Sequence, residues 1–260
     1  MKRPPAAPLA AYVLHRYDWS ESSLIVELFT RERGRLVVAA KGAKRPYSQL
    51  RPVLLPLQRL TVQVGRPPAD ETAEVLTLRS AEWGGGAPMP TGAALFSGFY
   101  VNELLLKLLA RQDPHPTLFD AYEQTLPALA GGDAAAGAAA LRAFELVLLR
   151  ETGVLPALDR ETASHRALQA DLAYRLQPES GLGAIDDDEP GVPGRVWTAL
   201  QQALAEGRLG AVQSACLDTP GPLRSQLRAL LHYHLGHTTL RTRAVMRDLQ
   251  RFIDPPTPTR

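Results

Sequence analysis

Lys41, Lys44 and Arg45 stand within five residues of one another at the end of GRLVVAAKGAKRP, and they are the side chains best placed to do chemistry. The segment starts as an apolar strand pattern and ends in a turn, where Gly42 permits an unusual backbone and Pro46 restrains the loop. Long cationic side chains on such a turn reach a phosphate backbone without burying their charged heads. Tyr47 follows directly and could stack on a base. Arg31, Arg33, Arg35, Arg51, Arg59 and Arg66 strengthen the field wherever they share that face, and Tyr12, Tyr17, Trp19 and Phe29 are further aromatics nearby in sequence. The chemistry implied is electrostatic binding of nucleic acid or another polyanion; a solubilising patch is the bland reading of the same charges.

Other constellations offer less. No phosphate-binding glycine loop, dinucleotide fingerprint, HExxH or GxSxG occurs, which excludes the motif-marked enzyme classes. His232, His234 and His237 cluster in HYHLGH, but on a helix only the last two share a face, so helix-surface histidines are expected rather than a metal site. Asp186, Asp187, Asp188 and Glu189 lack calcium-loop spacing and read as a solvated acidic loop. The single cysteine, Cys216, excludes an intramolecular disulfide and a cysteine-built zinc site, and its apolar setting implies quiet burial.

The elements that must carry the basic turn are strands. AYVLHRY, SLIVELFT and GRLVVAAKG alternate apolar and polar residues, with RERG a hairpin signal between the last two. LLPLQRLTVQVG and ETAEVLTLRSAE supply two more, separated by GRPPAD. Five short antiparallel strands fit a closed barrel, which removes exposed edges; an OB-type barrel is the first candidate and an SH3-like barrel the second. Beyond GGGAPMPTG the pattern turns helical, through FYVNELLLKLLA, LFDAYEQTLPALAG, a GGDAAAG linker and AALRAFELVLLRETGVLP. Periodicity weakens from Asp159 to Pro193, where PESGLGAIDDDEPGVPG reads as a loop, and it resumes in RVWTALQQALA and onward. The expected fold class is α+β: an OB-type domain over residues 1–83, a mostly helical region over 84–254 with an acidic loop near 179–191, and a frayed tail over 255–260.

Net charge hides a strong asymmetry. Residues 1–80 carry 13 basic and 7 acidic side chains, residues 81–223 carry 9 and 18, and residues 224–260 carry 7 and 2. Positive ends therefore flank a negative middle. In the tail, Arg241, Arg243, Arg247 and Arg251 include like-charged i,i+4 pairs, which repel unless nucleic acid or an acidic surface neutralises them. Arg111, at the LLARQDPHP junction, is a weaker candidate for either ligand, since it could instead cap or pair locally. No apolar run suits a signal peptide or a bilayer span, so a soluble protein is expected, and with a single cysteine a reducing, cytoplasmic setting.

AYVLHRYDWSESSLIVELFTRERGRLVVAAKGAKRP, FYVNELLLKLLARQDPHPTLFDAYEQTL, FELVLLRETGVLP and LRALLHYHLGHTTLRTRAVMRDL, taken in that order, resemble the bacterial recombination mediator family RecO over nearly the whole chain. The resemblance implies an OB-fold followed by helices and a protein that is not an enzyme and needs no nucleotide cofactor. It implies binding to single- and double-stranded DNA, annealing of complementary strands, and recognition of the acidic tail of single-strand-binding protein (SSB). It also implies work with RecR to load RecA during repair, and hence association with the nucleoid. Carried onto this chain, Arg35, Lys41, Lys44 and Arg45 match the family's basic strand-to-loop segment, and Arg241 and Arg243 match its final basic block. Some members carry a four-cysteine zinc module after the FELVLLRETG-like block; RETASHRALQADLAYRLQPESG has no cysteine, so zinc is not expected. The rival reading is a non-enzymatic interaction module whose basic barrel binds an acidic protein.

Overall fold

A computed structural model describes residues 7–65, 75–185, 190–236, 240–242 and 244–245. The chain divides into two compact units, one made of residues 1–113 with 237–260 and the other of Pro114–Gly236.

The first unit is built on β1 (Leu9–Asp18), β2 (Leu24–Thr30), β3 (Gly34–Ala40), β4 (Arg59–Val64) and β5 (Val75–Trp83), closed in the order β1-β2-β3-β5-β4. That is the Greek-key order of an OB barrel. Alternation puts Ala11, Val13, Val26, Leu28, Leu36, Val38, Leu60, Val62, Leu76 and Leu78 into one barrel core. The sequence suggested purely antiparallel pairing, but β3 and β5 run parallel. Closure requires it: β4 opposes β1 and β5 opposes β4, so β5 points the same way as β3. The RERG segment makes the expected hairpin, with Thr30 paired to Gly34 and the Thr30 hydroxyl donating to the Gly34 carbonyl at 2.8 Å. GRPPAD lies almost wholly outside the described residues.

A helix, α1 (Gly92–Leu108), packs on this barrel. A bulge in β1 between Val13 and His15 frees two carbonyls, and buried Asn102 of α1 donates to Val13 O at 3.3 Å and Leu14 O at 3.1 Å. One side chain thereby satisfies the irregularity and fixes the helix.

The second unit contains α2 (Pro116–Ala130), α3 (Ala134–Glu151), α4 (Gly194–Ala205), α5 (Leu209–Leu217) and α6 (Pro220–Leu235). Helix α3 begins inside the expected GGDAAAG linker, because Asp133 caps it by accepting from Ala135 N at 2.9 Å and Ala136 N at 3.2 Å. Tyr122, Phe144 and Trp197 are fully buried among these helices, and Tyr122 and Phe144 meet edge to face with ring centroids 6.3 Å apart.

The stretch read as a loop holds a small sheet instead. Strands β6 (Ala173–Gln177), β7 (Gly181–Ala184) and β8 (Val192–Pro193) pair antiparallel in the order β7-β6-β8, burying Tyr174, Leu176, Leu182 and Val192. The glycines that argued against an element make the hairpin: Gly181 has φ +76°, and a Cβ there would collide with Thr162. Residues 186–189 of the acidic run lie outside the described residues.

Residues 159–168 fold back by hydrogen bonding. Glu161 N donates to Arg166 O at 2.9 Å and Leu168 N to Asp159 O at 3.1 Å. Thr162 then zips this loop to β7: its N–H donates to Leu182 O and its hydroxyl oxygen accepts from Leu182 N, both at 2.8 Å. Thr162→Val should remove the acceptor and leave a part-buried amide unpaired, lowering stability by about 1–2 kcal/mol in a denaturant titration. A change under a few tenths would mean that the side chain does not hold the loop.

Candidate nucleic-acid interface

Register decides which side chains meet at the basic turn. Asp18 pairs with Leu24 and Leu24 with Ala40, so the end of β1, the start of β2 and the end of β3 lie side by side. Residues 19–23 and 41–48 therefore share one rim of the barrel. The backbone joins them: Lys44 N donates to Ser22 O at 2.9 Å, and Gly42 N donates to Ser23 Oγ at 3.4 Å. Gly42 has φ +74°, the conformation that glycine was expected to supply, and the Arg45 side chain passes over it.

The three cations have different fates on this rim. Lys44 is half-buried, with Nζ 3.2 Å from Asp18 Oδ1 and donating to Ser20 O at 3.0 Å, so it ties the two loops together. Lys41 and Arg45 are exposed and have no acidic partner among the described residues. Tyr47 is 95% exposed, and a shallow open groove runs beside it, lined by Pro46, Ser48 and Arg51. Trp19 and Tyr17 are also exposed, at 57% and 48%. Only Tyr47 stood out in sequence as a stacking residue. Trp19 had a usable signal, a large aromatic in the polar turn DWSESS, but its rim position depends on strand register.

Arg35 sits elsewhere. Its side chain is 12% exposed on the outer face of β3, donating to the Leu106 carbonyl and lying 3.7 Å from Glu27 Oε2. Arg111 reaches the same carboxylate, with Nη2 donating to Glu27 Oε1 at 3.2 Å. Gln112 N donates to Arg35 O at 2.9 Å, and Gly34, with φ +64°, has no room for a Cβ because the Asp113 backbone lies against it. The β2–β3 face, which OB folds commonly offer to oligonucleotides, is thus closed here at its Glu27–Arg35 end by the chain's own residues 106–113. Arg35 and Arg111 act together as internal ties.

Arg241 is exposed, and its backbone is pinned to α1. The Glu103 carboxylate accepts from Arg241 N at 2.8 Å, Thr242 N at 3.0 Å and Thr242 Oγ1 at 2.7 Å. Burial pushes this carboxyl up, but the bonds from Thr242 and Arg241, aided by Lys107, outweigh it and hold it below the ordinary 4.5. The depressed value means that the tie is fully present above pH 4.5 and is lost as pH falls through the lower folded value. Glu103→Gln should abolish that dependence and speed hydrogen exchange at the Arg241 and Thr242 amides at neutral pH. Unchanged protection in the variant would contradict the role. Arg243, Arg247 and Arg251 lie outside the described residues, as does His237.

Burial pushes the Cys216 thiol up to about 12, which leaves it protonated and inert. Among the described residues no group of three or more His, Cys, Asp or Glu could hold a metal ion, and no helix is long and apolar enough to cross a membrane.

The family model described as Recombination protein O N terminal matches residues 8–83, and the one described as Recombination protein O C terminal matches residues 89–244. The DNA repair protein RecO of Polaromonas sp. is 55% identical over 242 residues, covering 92% of this chain and 95% of that protein. Its namesake from Variovorax paradoxus is 54% identical, with 92% and 95% covered, and that from Albidiferax ferrireducens 53%, with 92% and 94% covered. An OB-ordered barrel with a basic rim, two family models that together span almost the whole chain, and relatives identical at more than half of the aligned residues lead to one conclusion: this chain belongs to the recombination protein O (RecO) family.

Proposed function

We propose that this chain, as a RecO protein a non-catalytic recombination mediator, binds single- and double-stranded DNA on the barrel rim and anneals complementary strands there. The observation that carries the reading is the pair of exposed cations Lys41 and Arg45, which have no acidic partner among the described residues, beside exposed Tyr47 and Trp19. The cations neutralise phosphates and so reduce the repulsion that opposes pairing. Contacts to backbone rather than base edges make the activity indifferent to sequence. The aromatic rings offer stacking surfaces that any base can use. Lys44 and Asp18 position the loops, and Arg35 and Arg111 hold the barrel against α1, so neither arginine contacts DNA in this account. Arg241, held by Glu103, and Arg243 serve DNA or an acidic protein partner.

The same protein recognises the acidic tail of SSB, which concentrates the annealing surface on coated strands. With RecR it assists the loading of RecA in the cytoplasm, at the nucleoid. Annealing of dye-labelled complementary oligonucleotides tests the reading. Acceleration that is independent of sequence and fades with salt is expected. No acceleration at low salt, with an acidic peptide binding instead in a salt-resistant way, would favour the interaction module.

A further inference from the structure

Annealing needs two strands held at once, and the rim is one track. Helix α6 carries a second set of features that the family assignment leaves unused. Arg224, Arg228 and His232 recur at i, i+4 and i+8 on its exposed face, about 6 Å apart along the axis at 1.5 Å per residue. The opposite face buries Leu223, Leu227, Leu230 and Leu231. Tyr233, half exposed, stands beside the stripe with the His234 ring edge-on at 5.3 Å, and Pro178 and Ala229 floor a shallow cleft against it.

The stripe departs from its surroundings. Residues 114–236 carry 15 acidic and 9 basic side chains, yet α6 contains no Asp or Glu, and Arg224 and Arg228 have no acidic partner among the described residues. Cations four residues apart repel one another, and no carboxylate among the described residues relieves them. Two arginines one helical turn apart, with His232 one turn further along and an open aromatic ring beside them, suit a polymer that repeats a phosphate and a base. A cluster of peptide carboxylates would use the charge but neither the regular spacing nor the ring.

We propose that the outer face of α6 is a second single-strand track, on which Arg224, Arg228 and His232 take successive phosphates and Tyr233 stacks on a base. This rests on the annealing function proposed above. The two tracks let one molecule hold both reactants, with the rim engaging one strand and α6 the other.

The test uses the full chain and two non-complementary short oligothymidylates, one tethered and one fluorescent. Protein is loaded on the first, and capture of the second is read. R224E/R228E should bind the first strand within about twofold of wild type but capture the second about tenfold less, as reversal of two phosphate contacts implies. Y233A should reduce capture in part. Both variants alter exposed side chains, so folding is preserved. Wild-type capture by R224E/R228E overturns the track. So does loss of binding to an acidic tail peptide with second-strand capture intact, which would make the face a peptide dock. Wild-type protein that binds the first strand and captures no second one overturns the track and leaves the rim standing. Failure to bind the first strand removes the rim reading, and this inference with it.

Discussion

Charge reversal at both Lys41 and Arg45 lowers affinity for a single-stranded oligonucleotide by on the order of a hundredfold at about 0.1 M salt, because two attractive phosphate contacts become repulsive. The slope of log affinity against log salt falls in magnitude by about 1.4, at about 0.7 for each single-strand contact removed. The fold is untouched, since both side chains project into solvent without a partner among the described residues. Reversal of Lys44 behaves differently. It places a carboxylate beside Asp18 and forfeits the bond to Ser20 O, so it loosens the two rim loops as well as weakening the field. Circular dichroism and thermal unfolding separate the two effects.

The second large effect is on stability. Glu27 is 7% exposed between Arg35, itself 12% exposed, and Arg111. Glu27→Ala removes the carboxylate that these two arginines share and leaves the little-exposed Arg35 charge with the Leu106 carbonyl but no anion among the described residues, at a cost of about 3–5 kcal/mol. The midpoint of thermal unfolding should fall by roughly 10 °C. DNA affinity per folded molecule stays the same, because none of the three residues lies on the rim. A loss below about 1 kcal/mol would mean that water replaces the carboxylate and that the cluster is not a structural tie. Lost DNA binding in a fully folded variant would return Arg35 to the interface.

Alternation and turn chemistry made the barrel legible: apolar residues two apart, RERG at a hairpin and Gly42 at a positive-φ turn all point to the same elements. The small sheet at Ala173–Pro193 was not legible, because its strands are two to five residues long and its hairpin is made by Gly181, which leaves room for Thr162 to approach. The basic turn could be found from charge alone, but not the division of labour within it. Whether Arg35 faces water depends on residues 106–113, more than 70 positions away, which lie over β3. Trp19 joins the rim only through the pairing of Asp18 with Leu24 and of Leu24 with Ala40. Local sequence specified the elements, and long-range packing chose which cations remain free to bind.

The decisive experiment is fluorescence anisotropy on a labelled single-stranded oligonucleotide across a salt series, for wild type and K41E/R45E. Wild-type binding should be salt-sensitive and persist with an acidic SSB-tail peptide present, and the variant should bind both more weakly and with less salt dependence. Equal affinity and equal slope in a folded variant would contradict it and move the phosphate contacts off the barrel rim.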